Sequence, residues 1–183
     1  MRRSIFSGLV IAIALTNMSM AALVQWKTED GGNGHYYEAI TLPGLTFSDA
    51  ETLAESQGAY LLTITSQAEQ DFISEHVIAN GYRYRIGGFQ PEGSPEPDGG
   101  WEWITGEPFT YTNWHRGEPN NDISLGLAGE DSLVLWIGNQ WNDGPGNYRG
   151  YEGYVLEMVP QPATILILGF WAALARNRWH ENL

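Results

Sequence analysis

The chain has no cysteine. No disulfide can hold it together, so any exported form is stabilised by packing, hydrogen bonds or a bound ion. Basic residues are also scarce, 9 Lys and Arg against 22 Asp and Glu in 183 residues. Arg2 and Arg3 open the chain, and Arg176 and Arg178 lie near its end. Between Ala22 and Pro160 only Lys27, Arg83, Arg85, Arg116 and Arg149 face 21 acidic residues. Such a surface repels nucleic-acid phosphates and anionic membranes, which excludes nucleic acid as a partner. It suits a cation-binding surface, or simply solubility. Catalytic signatures are missing too. There is no nucleophile elbow and no His-Glu-x-x-His, and His35 and His76 lack metal-ligand spacing. The chain therefore reads as a non-enzyme. What it does have is 8 Trp, 9 Tyr and 22 Gly. That content argues against disorder and against a helical bundle.

Both ends read as processing or sorting signals. Residues 1–21 place two arginines before the apolar run Ile5–Leu15, then a polar stretch ending Ser19-Met20-Ala21. This is the pattern of a secretory signal peptide, and it predicts export. At the other end, Pro160 and Pro162 precede an uncharged apolar run, Ala163–Ala175, followed by Arg176 and Arg178. Residues 159–183 resemble a PEP-CTERM sorting signal, although Gln161 stands where that signal has its Glu. The resemblance implies a bacterial protein sent to the cell envelope or extracellular matrix, its tail handled by the membrane or a sorting enzyme. A plain membrane tail is the other reading.

The domain between them, residues 22–158, divides into two styles. Its first half predicts a strand pair around Tyr36–Ile40 and two helices. The first helix is placed after Ser48, with Glu51 completing a capping box, and the second after Ser66, with Glu69. Ala50, Leu53 and Ala54 on the first helix, and Phe72, Ile73, Val77 and Ile78 on the second, form inward stripes. "AYLLTITS" between them predicts a strand. After Gly81 the helical pattern stops. Short strands, turns and aromatics follow. Trp101, Trp103, Trp114 and Trp136 are expected in the core of this loop region. The whole reads as α+β.

Two short stretches carry most of the chemistry. "RGEPNND" sets Glu118, Asn120, Asn121 and Asp122 around Pro119, and "QWND" ends in Asn142 and Asp143. So many oxygen-bearing side chains make either an ordinary solvated turn or half of a cation site.

In their order along the chain, "TFSDAETLAESQGAYLLTITSQAEQDFI", "YRIGGF", "WEWITGEPFTYTNW", "GEPNN", "GEDSLVL", "WND" and "GYVLE" resemble a C-type lectin-like domain from about Gln25 to Met158. The resemblance implies two helices flanking two small antiparallel sheets, with a long loop region that binds Ca2+. The ligands it implies are Glu118, Asn120, Glu130, Asn142 and Asp143. It also implies a cis Glu118–Pro119 bond and a preference for equatorial diols, as in mannose, glucose or fucose. Four of these residues, Glu118, Asn120, Glu130 and Asn142, would also contact sugar. The spacing departs in one place, because "DISLGLAG" between Asn121 and Glu130 is about four residues long for the family, a modest cost for a loop. A second ion site would need Asn121, Glu130 and Asp131 with an acid such as Glu92, Glu96 or Asp98, since Gln90 stands where an acid is expected. The family's two disulfides are absent. Ala54 with Leu156, and Ser132 with Gly146, stand in their places. A carbohydrate-binding module of the envelope or matrix is the leading function, and an adhesion scaffold with structural calcium is the alternative.

Overall fold

A computed structural model describes residues 23–160, apart from 79–80 and 125–128. The expected signal peptide, and the tail from Gln161 onward, lie outside the described residues. Among those residues no helix is long and apolar enough to cross a membrane.

Helix α1, Phe47–Ser56, starts two residues before the expected position. Thr-x-x-Asp and Ser-x-x-Glu overlap here, and the first wins. The Asp49 N–H donates to Thr46 Oγ1 (3.1 Å), and the Thr46 N–H donates back to Asp49 Oδ2 (3.0 Å), which closes a capping box. The Phe47 N–H is claimed by the Gly146 carbonyl at 2.8 Å. Helix α2, Gln67–His76, begins at Ser66 as expected, and Ser66 Oγ accepts the Glu69 N–H at 3.2 Å. The Glu69 carboxylate does not complete the second box. It is buried and accepts instead from Thr65 N–H (2.9 Å) and Tyr37 Oη (2.8 Å).

The strands are β1 (Val24–Gln25), β2 (Tyr36–Thr41), β3 (Tyr60–Leu61), β4 (Tyr84–Phe89), β5 (Glu102–Trp103), β6 (Ser132–Leu135), β7 (Trp141–Gly144) and β8 (Gly153–Met158). They form one connected sheet in the order β1-β2-β8-β4-β6-β7, with β3 on β8 and β5 on β4. The two small sheets expected are joined by a short parallel seam, Tyr84 with Gly153 and Arg85 with Tyr154; all other pairings between these strands are antiparallel. "AYLLTITS" supplies only two strand residues. Leu62 and Ile64 are fully buried. The Leu62 N–H still donates to the Val155 carbonyl of β8 at 2.9 Å, but from Thr63 the backbone leaves the ladder, and the Thr63 N–H is taken by the Glu157 carboxylate at 3.0 Å.

Two apolar clusters fill the fold. One joins α1 to β3 and β8 and contains both Ala54 and Leu156, so packing replaces the first missing disulfide. The other joins α2 to the sheet and takes in Trp101, Trp103 and Trp141. Trp141 is its hub. It is fully buried, its Nε1 donates to Gln70 Oε1 (2.7 Å), and Trp103, Tyr111 and Trp114 meet it edge-on. This anchors the long loop region against α2 and fixes where β7 emerges.

Candidate carbohydrate and cation site

The backbone brings the two oxygen-rich stretches together. The segment Asn113–His115 runs alongside Trp141: the Trp141 N–H donates to the Asn113 carbonyl, and the His115 N–H donates to the Trp141 carbonyl, both at 2.8 Å. Asn142 and Asp143 follow on one side, and Glu118 to Asn120 on the other. A turn closed by the Glu118 N–H on the His115 carbonyl (2.9 Å), with Gly117 at φ +100°, aims the chain back at β7. The Glu118–Pro119 peptide is cis, as the resemblance implies.

Four of the five residues, Glu118, Asn120, Glu130 and Asn142, line one cavity of about 250 Å³, together with Asp122. The fifth, Asp143, is not part of the lining and is fully buried. Its carboxylate accepts the N–H groups of Asn120 (2.9 Å) and Asn121 (2.7 Å), which binds the proline turn to β7. The Asn142 side-chain amide lies against the Asp143 carbonyl. A larger cavity of about 350 Å³ opens beside the start of α1, but it includes none of the five.

The insertion before Glu130 is braced at its base. The Glu130 N–H donates to Asn121 Oδ1 (2.9 Å), and the Asp122 N–H donates to Glu130 Oε2 (2.8 Å). Gly129 makes the brace possible: it sits at φ +98°, and a Cβ there would lie 2.8 Å from Asn121 Oδ1. The extra residues thus leave Glu130 in register with the cavity.

This brace uses the Asn121 oxygen that a second ion site would need. Asp131 Oδ1 likewise accepts the Gly146 N–H at 2.7 Å, and Gln90 is tied through Nε2 to the Pro97 and Gly99 carbonyls. Glu96, one of the acids offered for that second site, lies within the field of the cluster. Its carboxyl is held above the usual range, first by partial burial and then by the charges of Asp143 and Asp131.

Electrostatically the main cavity holds crowded anions. The Glu118 carboxyl is pushed up to about 7, mainly by desolvation and next by Asp143 beside it. Glu130 is also pushed up to about 7, by burial first, with Asp143, Asp122 and Glu118 adding repulsion and the Asp122 N–H opposing it. Glu118 Oε2 is buried with no hydrogen-bond partner among the described residues. Three carboxylates and two amides around an orphaned carboxylate oxygen fit a hard divalent cation, which takes six to eight oxygens. Among the described residues no three acidic or imidazole side chains stand in the geometry of a formed metal centre. The donors here alternate acid with amide, and the Asp143 carboxylate is occupied by backbone N–H groups.

The aromatic part of the lining was not expected. Trp136, placed by sequence with the loop core, lines this cavity instead, with Arg83, Tyr148 and Tyr151. Its position at the mouth of the Ile137–Asn139 turn, just past β6, is the only local sign.

Comparison with known proteins decides the family. A family model described as "Lectin C-type domain" matches residues 44–151. The chain belongs to the C-type lectin domain family. This lectin domain is 32% identical over 170 residues to C-type lectin lectoxin-Lio1 of Erythrolamprus poecilogyrus, with 88% of this chain and 96% of that protein covered. It is 28% identical over 103 residues to C-type lectin domain family 10 member A of Homo sapiens, covering 55% of this chain but 30% of the relative. The lectin domain thus spans less than a third of that longer protein. Among solved structures it is similar to the C-type lectin domain of murine dendritic cell inhibitory receptor 2 in complex with N-glycan. The TM-score is 0.56 at 27% identity, covering 69% of this chain and 91% of that one. These relatives are animal proteins and give no support to the bacterial source that the resemblance of the tail implies.

Proposed function

We propose that this lectin domain binds carbohydrate through a calcium ion held by Glu118, Asn120, Glu130, Asn142 and Asp143, without chemical turnover, outside the cytoplasm. The observation that carries this reading is the convergence of four of these side chains on one cavity, with the buried Asp143 carboxylate bonded to the backbone of the Asn120 turn. The N-glycan bound to the structural relative supports the ligand class. When bound, the ion supplies positive charge and open coordination positions for two neighbouring sugar hydroxyls. The chain does the rest. Glu118 and Glu130 accept hydrogen bonds from those hydroxyls, and Asn120 and Asn142 donate to them. The Glu-Pro-Asn order supports a preference for equatorial diols of the mannose, glucose and fucose type. A single site exchanging water for hydroxyls binds at about millimolar strength, so several copies acting together are needed for firm attachment. An adhesion scaffold with structural calcium is the second reading. The exposed Ile123 in the inserted loop favours it, as an apolar contact for a protein partner.

A thermal melt of the chain, with calcium or chelator and with or without mannose, tests this. Glu118 and Glu130 have folded-state pKa values above their unfolded ones. Their contribution to the calcium-free fold is complete below about 4.5 and is lost as pH rises through about 7. The calcium-free protein therefore melts lower at pH 8 than at pH 5.5. Calcium reverses that trend, because it binds the ionised carboxylates. At 100 times its Kd it adds about 2.7 kcal/mol, or about 10 °C, at pH 8. At pH 5.5 the affinity falls by at least about tenfold and the gain shrinks. Mannose adds a further rise only with calcium present. A calcium rise with no effect of any sugar favours the scaffold. No calcium effect at pH 8 removes the ion site.

A further inference from the structure

Six tryptophans fall among the described residues. Trp26, Trp101, Trp103, Trp114 and Trp141 each pack on another aromatic ring. Trp136 packs on none of the described rings. It lines the cation cavity, and its contact is the Arg83 guanidinium, 5.5 Å from the ring centroid.

Arg83 is itself held fast. Its Nε and Nη2 donate to the two Glu152 oxygens at 3.2 and 3.0 Å, and Nη2 also reaches the Gly150 carbonyl at 3.1 Å. Tyr151 lies against it from a second direction, 5.9 Å from ring centroid to guanidinium carbon. Tyr148, also on the cavity wall, meets Tyr151 edge-on at 5.0 Å. The indole is thus backed by a cation fixed through a carboxylate. Ile137, 64% exposed, extends the apolar surface past it.

Such an arrangement has a chemical meaning. The lining of one cleft combines oxygen donors with an indole and a phenol. Glu152 already neutralises the arginine, so this wall does not call for an anionic ligand. A solvated indole prepositioned beside polar donors suits the C–H face of a pyranose ring.

We propose that Trp136 and Tyr148 form a second sugar subsite, so that the ligand of this cleft is a neutral oligosaccharide of two or more residues. One residue is held at the oxygen set and the next lies on the aromatic wall. This rests on the carbohydrate reading above and deepens it. The stacked contact is worth about three- to tenfold in affinity, the scale of one aromatic interaction.

The test uses the full chain in excess calcium, titrated with methyl α-mannoside and with α-linked methyl mannobiosides. At least one mannobioside binds about three- to tenfold tighter than the monosaccharide. Trp136→Ala erases that margin, while calcium affinity and monosaccharide affinity stay within about twofold of the parent protein, and Trp136→Phe retains part of it. Tyr148→Ala, on the same wall, narrows the margin too. The proposal is overturned if no mannobioside exceeds the monosaccharide, or if the margin survives Trp136→Ala. Equal weakening of both sugars, or a loss of calcium affinity, makes Trp136 a structural residue and overturns it as well. If the parent protein binds calcium but neither sugar, the carbohydrate reading itself falls, a result separate from loss of the margin alone.

Discussion

Glu118→Gln and Glu130→Gln should each lower calcium affinity by about 100-fold or more while leaving the calcium-free protein as stable as the parent, or slightly more stable. The first effect follows from the donor set. Even outer partners of a bound metal typically cost 10–100-fold when removed, and these two carboxylates are read as direct ligands. The second effect has the opposite sign and comes from the same crowding. Burial and neighbouring acids hold both carboxyls up at about 7, so without an ion their charges are unfavourable in the folded state at neutral pH. A neutral amide of the same shape removes that repulsion, and the gain is on the order of 1 kcal/mol once solvent screening is allowed for. Gln also keeps an oxygen for the Asp122 N–H that Glu130 now accepts. Asp143→Asn is expected to differ. Its carboxylate receives the Asn120 and Asn121 N–H groups from a fully buried position, so this change loosens the proline turn as well as the ion. Calorimetric calcium titration with urea melts in chelator separates the cases. Calcium affinity within about threefold of the parent in both Gln variants would remove these residues from the ligand set.

The residues of that site were legible because they are written locally. Glu118, Asn120, Asn142 and Asp143 each sit in a stretch of a few residues rich in side-chain oxygens, a composition that fits a cation site or an ordinary turn. Glu130 was legible only through its distance to Asn142, since the inserted loop breaks its distance to Asn121. Helix α2 was also local, with Ser66 and a single clean apolar stripe. Helix α1 was misplaced because Thr46 and Ser48 both precede an acid by three residues, and the Gly146 carbonyl that engages Phe47 lies about a hundred residues away. "AYLLTITS" was read as a full strand because its composition is that of a strand. Burial without ladder pairing produces the same composition. Trp136 was grouped with three other tryptophans because only the short turn that follows it, Ile137–Asn139, sets it apart in sequence from a core indole. The difference is Arg83 on its face, positioned by Glu152 across the parallel seam.

Arg85 is the clearest case of a residue whose role is invisible in one dimension, and its replacement should have the largest effect on stability. Arg85→Met is expected to cost about 3–5 kcal/mol, and Arg85→Lys most of that. The side chain is fully buried at the second residue of β4. Its Nη1 donates to Ser132 Oγ at 3.1 Å, its Nε to the Leu45 carbonyl at 3.3 Å, and its Nη2 to the carbonyls of Pro145 and Tyr148. The Tyr151 ring lies 4.7 Å from the guanidinium. Burial lowers its pKa to about 10, still high enough to keep it charged at neutral pH. Methionine takes this donor from three carbonyls and a hydroxyl in a largely buried site, where among the described residues only the Pro145 carbonyl keeps another, the Tyr148 N–H at 3.1 Å; each group left unpaired costs about 1–3 kcal/mol before relaxation. Lysine brings the charge but not the planar fork that spans four acceptors. These acceptors have a further meaning. Ser132 and Gly146 stand where the family resemblance implies a disulfide, and Arg85 joins Ser132 to Pro145 and Tyr148, the segment that contains Gly146. Removing such a disulfide from a small exported domain costs about 2–5 kcal/mol. The arginine fork is of the same size and needs no oxidising compartment to form. It also fixes the segment that follows Asn142 and Asp143 and carries Tyr148. Arg85→Met should therefore weaken calcium binding even under conditions where the variant remains folded. Urea denaturation in chelator, read with calcium affinity by calorimetry, checks both. A loss below about 1 kcal/mol for the Met variant, or full retention by Lys, would mean that the apolar clusters alone carry the fold through the missing crosslink.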